Sequence, residues 1–220
     1  MNILTLGDSF TYGEELQSPA DSCWPNQLAN KLSARLVNLG KPSNSNPAMV
    51  RQLVDHLAHR TNTIPDLVII GWSSPGRTEH SDIGGNYNIW PGYSGNMFKE
   101  FQPWREELLR YMNQYHNDEY LGEAFLQQII LVQNLLENRS IPYLMLNTVG
   151  SEYYKNNFVK KFGFYSHLLN VDNFIGWPGD GMAEWVGDSP KGPNGHFLED
   201  GHQIVAEKIY EYLRNSGRVS

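Results

Sequence analysis

Asp66-Leu67-Val68-Ile69-Ile70-Gly71 decides the fold: after one acidic residue the stretch is wholly apolar and largely β-branched, and a glycine closes it. A strand apolar at every position has no solvent face, so it belongs in a sheet covered on both sides, as parallel sheets are. Working outward, Asn2 to Leu6, Arg35 to Leu39 and Pro142 to Leu146 read as further short strands. Helical patterns separate them. One starts at Ser22-Cys23-Trp24-Pro25 and carries Leu28 and Leu32; another, capped by Asn46-Pro47, carries Met49, Val50, Leu53 and Leu57. Others span Trp104 to Tyr115 and Leu121 to Asn138, the latter with Phe125, Ile129, Val132 and Leu136 in one stripe. A closing helix over Gly201 to Asn215 aligns Val205, Ile209, Tyr212 and Leu213, with Gly217 as a left-handed stop.

Strands alternating with helices predict an α/β fold, a parallel sheet with helices on both faces. Ligands in such sheets bind at the carboxyl ends of the strands, here Gly7 to Thr11, Gly40 to Asn46 and Gly71 to Arg77. The 220 residues read as a single domain over 1–220, with irregular insertions near 73–103 and 152–194.

Seventeen Lys and Arg against 24 Asp and Glu leave a net charge of −7, and no basic run offers a phosphate backbone a track, so nucleic acid is not an expected partner. The longest strongly apolar stretch, about Leu67 to Ile70, is far below the roughly 18 residues a membrane span needs. Met1-Asn2-Ile3-Leu4 lacks the basic and apolar regions of a secretory signal, which predicts a cytoplasmic protein. A single Cys23 forms no internal bridge, and the absence of a His-Glu-x-x-His, paired cysteines or an Asp-rich loop implies no metal or other cofactor.

Ser9 follows strand one directly, where its hydroxyl faces the crevice; taken alone it reads equally as a helix cap. No Gly-x-Ser-x-Gly occurs, which argues against a nucleophile-elbow hydrolase. With the Gly195-His196-Phe197-Leu198-Glu199-Asp200-Gly201-His202 stretch added, the chain resembles the SGNH (GDSL-type) hydrolase family. Gly7-Asp8-Ser9 is similar to its first block and His196 to its last. Trp24-Pro25 with Leu28-Ala29, Val37-Asn38-Leu39-Gly40 and Ile69 to Arg77 resemble its intervening elements. A looser likeness, in Gly71-Trp72-Ser73-Ser74 with Arg77-Thr78-Glu79, is to a branch met in tailed-phage genomes. The resemblance implies a three-layer α/β/α sandwich, flavodoxin-like, around a parallel sheet of about five strands. It implies a serine esterase or deacetylase for small acyl groups, with Ser9 as nucleophile and His196 as general base. His202 ranks second as base and reads better as a helix-start residue.

Departures from the family leave alternatives open. The oxyanion donors would be the amide of Ser9 and that of Gly40 or Ser43, with Ser73 standing where the family has Asn. Pro193 occupies the usual Asp position, so the imidazole partner is Asp188 folding back, Asn194, a water or a carbonyl. Asp8 reads as a loop-holding carboxylate, and Arg77 as an anion binder or a salt-bridge partner. Seven aromatics between Trp72 and Trp104, namely Trp72, Tyr87, Trp90, Tyr93, Phe98, Phe101 and Trp104, suit stacking on an acylated sugar or a small core of their own. The competing readings are a binding-only scaffold that recognises carbohydrate and an acyltransferase. The sequence does not fix the oligomeric state.

Overall fold

The chain runs Asn2–Leu6 (β1), Ser9–Tyr12 (α1), Pro19–Ser22 (α2), Trp24–Lys31 (α3), Arg35–Asn38 (β2), Asn46–Ala58 (α4) and Leu67–Trp72 (β3). Thr78–Asp82 (β4), Gly85–Ile89 (β5), Pro103–Tyr115 (α5), Asp118–Asn138 (α6) and Tyr143–Asn147 (β6) follow. Two 3-10 turns, at Gly163–Leu168 and Val171–Asn173, precede Met182–Val186 (α7) and Glu199–Asn215 (α8). This computed structural model describes residues 1–82, 85–89, 103–115, 117–149 and 163–219.

Strand residues alternate between two apolar layers, as the period of two requires. Leu4, Leu6, Val68, Ile70, Trp72 and Met145 pack on Met49 and Leu53 of α4 and on Phe125, Ile129, Val132 and Leu136 of α6. Ile3, Leu67, Ile69, Leu144 and Leu146 pack on Trp24 and Leu28 of α3 and on Val205, Ile209 and Leu213 of α8. All six residues of β3 are buried, the consequence of an apolar strand with a layer on each face.

The parallel sheet has the order β2-β1-β3-β6, four strands where about five were expected. Beside β6 the fifth place is taken by irregular chain, which touches it through single parallel bridges from Met145 to Phe174 and from Asn147 to Gly181. β3 also runs past Gly71 to Trp72, because pairing with Leu146 and Asn147 carries the glycine within the strand. Within the stretch expected to be irregular, β4 and β5 form an antiparallel hairpin. Ser45, not Asn46, caps α4, its Oγ accepting from the Ala48 N–H at 3.3 Å.

The strand order reverses direction at β1, which is flanked by β2 and β3, so the loops after β1 and β3 border the switch point where α/β sheets open a crevice. His202 works elsewhere. Buried on α8, its Nδ1 accepts the Trp24 N–H at 3.1 Å and supplies the cap that Cys23 does not give α3. Among the described residues no helix is long and apolar enough to cross a membrane.

Candidate active site

The turn out of β1 needs glycine at position 7, since a Cβ there would stand 1.9 Å from Thr11 Oγ1. Asp8 then caps α1 with Oδ1, which accepts from the Phe10 N–H at 3.1 Å. Its Oδ2 accepts from Ser73 Oγ at 2.7 Å, Thr148 Oγ1 at 2.8 Å and Arg77 Nη1 at 3.3 Å. A fully buried carboxylate needs such donors and a countercharge, and here they come from the chain just beyond β3 and β6. Asp8 thereby fixes the loop that carries Ser9.

Ser9 is the first residue of α1, so its N–H has no intrahelical acceptor. Its Oγ lies 2.9 Å from His196 Nε2. Ser9 itself is buried, keeping 3% of its surface, while the neighbouring side chains of His196 and Glu14 keep 15% and 36%. The histidine is presented by a tight loop, closed by an antiparallel bridge from Lys191 to Phe197 and by the Gly192 N–H donating to the His196 carbonyl at 2.8 Å. Phe10 flanks the imidazole with ring centroids 5.1 Å apart.

On the other side of the ring, His196 Nδ1 lies 3.0 Å from Glu15 Oε2. Glu15 also accepts from the Asn194 N–H at 2.9 Å, Asn194 Nδ2 at 3.0 Å and the His196 N–H at 3.1 Å. Burial pushes the Glu15 carboxyl up, but the two backbone donors and the imidazole outweigh it and hold the group below its ordinary value. An ionised Glu15 accepts a hydrogen bond from Nδ1–H, which keeps the proton on Nδ1 and leaves Nε2 bare to accept from the Ser9 hydroxyl. The backbone at Glu15 is left-handed, φ 70°, a conformation that costs a non-glycine residue energy and is held only where surrounding contacts fix it.

The other sequence candidates fall in different places. Asp188 is exposed and has no hydrogen bond to His196, because Glu15 already occupies Nδ1. Asn194 orients Glu15 rather than the ring. The Gly40 N–H is taken by Asn38 Oδ1 at 2.9 Å and is no oxyanion donor. Ser43 sits in a left-handed turn, φ 60°, and its N–H meets no acceptor among the described residues. Ser73 is buried, and its one hydroxyl proton goes to Asp8, so it too is no oxyanion donor. Its backbone pairs with the Asn46 amide, N–H to Oδ1 at 2.9 Å and carbonyl from Nδ2 at 3.0 Å.

Trp72 is fully buried and packs edge-on against Phe125 in the core, which removes it from any substrate surface. Arg77 pairs with Asp8 and lines a cavity of about 160 Å³ beside Asn46, Pro47 and Phe125. Trp90, Tyr93, Phe98 and Phe101, with the side chains of Tyr87 and Trp104, lie outside the described residues. Among the described residues no group of three or more metal-ligating side chains forms.

Glu15 was missed by sequence reasoning, which looked for a carboxylate near His196 in the chain. The available signal was Gly13-Glu14-Glu15: two acids directly after a turn glycine, five and six residues on from the serine.

Solved structures similar to the chain include a member of the lipolytic protein G-D-S-L family from Veillonella parvula, with 13% identity, TM-score 0.52 and coverage of 96% of this chain and 97% of that one. The psychrotrophic esterase EstA from Pseudoalteromonas sp., inhibited by monoethylphosphonate, gives 12%, 0.56, 99% and 98%. A family two carbohydrate esterase from Clostridium thermocellum, in complex with cellohexaose, gives 15% and 0.52, matching 98% of this chain but 64% of the enzyme. At such identities the likeness is one of fold, and the fold is that of the SGNH hydrolases. The chain belongs to the family described as "Family of unknown function (DUF6071)", which matches residues 13–220. No curated protein matches it.

Proposed function

We propose that the chain is a serine ester hydrolase of the SGNH kind, acting on small acyl esters of a polar, carbohydrate-like alcohol. The observation that carries this reading is the unbroken line Ser9 Oγ, His196 Nε2, His196 Nδ1, Glu15 Oε2, with contacts of 2.9 and 3.0 Å. Nucleophile, base and orienter at hydrogen-bond distance are what covalent acyl transfer requires, whatever their order in the chain.

Ser9 Oγ attacks the ester carbonyl while His196 Nε2 takes its proton, and Glu15 stabilises the imidazolium that forms. The N–H groups of Ser9 and Ser43 are the donors left to hold the oxyanion. As the tetrahedral intermediate collapses, Nε2–H passes its proton to the departing alkoxide, leaving the acyl group on Ser9. Water activated by the same nitrogen then releases the acid and restores the serine. A fluorophosphonate probe tests the reading: covalent labelling of the wild type at Ser9, absent in Ser9→Ala and His196→Ala, is the expected result. Folded wild type that takes no label, or ester hydrolysis that persists in Ser9→Ala, overturns it.

A further inference from the structure

The site holds three carboxylates, and they are not alike. Asp8 receives the Phe10 N–H, Ser73, Thr148 and Arg77; Glu15 receives both Asn194 donors and both His196 N–H groups. Glu14 has no such set. Its Oε2 lies 3.4 Å from His196 Nε2 and, among the described residues, meets no lysine, arginine, amide or hydroxyl. Its side chain keeps 36% of its surface, so the carboxylate is open to solvent while touching the base.

His196 Nε2 is the atom that gives the departing alcohol its proton. The ester oxygen therefore comes within hydrogen-bond reach of the nitrogen that Glu14 already touches. A substituent on the carbon next to that oxygen is the part of the substrate that meets Glu14. An ionised carboxylate only accepts hydrogen bonds, so its complement there is a donor, and an anion in the same place is repelled.

We propose that Glu14 determines specificity in this site by accepting a hydrogen bond from a hydroxyl vicinal to the scissile ester, so that mono-acylated vicinal diols are the preferred substrates. The inference rests on the ester-hydrolase reading above. In the step concerned, the C–O bond to the diol breaks, the acyl carbon stays on Ser9 Oγ and the Nε2 proton moves to the diol oxygen. The neighbouring hydroxyl keeps its own proton, shared with Glu14.

The test compares kcat/KM for 2-hydroxyethyl acetate, 2-methoxyethyl acetate and acetoxyacetate in wild type, Glu14→Gln and Glu14→Ala. A charge-assisted hydrogen bond at a partly exposed site predicts a wild-type preference of about tenfold for the hydroxyl over the methoxy ester. That ratio falls to about twofold or less in Glu14→Ala. Glu14→Gln lowers turnover of the diol ester while raising that of anionic acetoxyacetate, a pair of opposite changes that general damage to the site does not produce. Equal ratios in all three proteins, with hydrolysis still dependent on Ser9, overturn the role of Glu14 and leave the hydrolase reading intact. Absence of any Ser9-dependent turnover overturns the hydrolase reading and this inference with it.

Discussion

Gly192 stands so close to Glu15 that a Cβ built on it would lie 2.6 Å from the Glu15 Cδ and 2.7 Å from Oε2. The loop that carries His196 is seated directly on the carboxylate that orients it. Gly192→Ala has no room unless one of the two moves. A displacement near 1 Å at reacting groups costs about a hundredfold, while overpacking costs about 1–3 kcal/mol. The variant is expected to lose about a hundredfold in kcat with a modest fall in Tm. Wild-type kinetics in Gly192→Ala would show that this contact does not set the ring.

Glu15→Gln keeps the shape and removes the charge. In serine hydrolases the comparable change lowers kcat by about 10⁴-fold, through loss of the tautomer and of imidazolium stabilisation. A fall of about 10³- to 10⁴-fold is expected, with Glu15→Asp recovering part of it and Asn194→Ala, which removes one donor to the carboxylate, costing less. Burst-phase and steady-state assays with p-nitrophenyl acetate read the effect. A Glu15→Gln loss below tenfold would leave His196 oriented by something else.

Ser73→Ala separates two roles. A missing oxyanion donor costs about 10²- to 10³-fold in kcat. A missing donor to the buried Asp8 costs about 1–3 kcal/mol of stability instead. The geometry favours the second: urea denaturation is expected to show the stability loss while kcat falls less than tenfold. A hundredfold loss with unchanged stability would restore Ser73 to the oxyanion hole.

Burial, with a lesser contribution from His196, pushes the His202 imidazole down from 6.5 to about 4. Between those values the unfolded chain binds a proton that the folded chain refuses. The contribution is therefore fully present above pH 6.5, is lost as pH falls toward 4, and amounts to at most about 3 kcal/mol. In His202→Asn, where the amide oxygen replaces Nδ1 as acceptor for the Trp24 N–H, the pH dependence of stability between 4 and 6.5 flattens. Parallel pH profiles for variant and wild type in chemical denaturation would place that dependence on other groups.

Much of the fold was legible because β1, β3 and β6 are short and mostly apolar without alternation, a pattern only a two-sided layer explains. The position of Ser9 in the crevice loop was legible because only Gly7 and Asp8 separate it from β1. Glu15 was not, since its role depends on a left-handed kink and on donors 179 residues away, neither of which leaves a periodicity. Ser73 was misread by analogy of position: the hydroxyl is there, but the buried charge of Asp8 claims it. Gly40 was misread because Asn38, part of the same short motif, folds back onto its amide. The β4–β5 hairpin escaped because Thr78-Glu79-His80-Ser81-Asp82 carries no apolar face.

Two of the three aligned groups, Ser9 and Glu15, belong to the first fifteen residues, and the third arrives at position 196, just before α8. On the hydrolase proposal, a chain that lacks its last quarter holds nucleophile and carboxylate without the base between them. Fragments that end before His196 would then be expected to take no fluorophosphonate label.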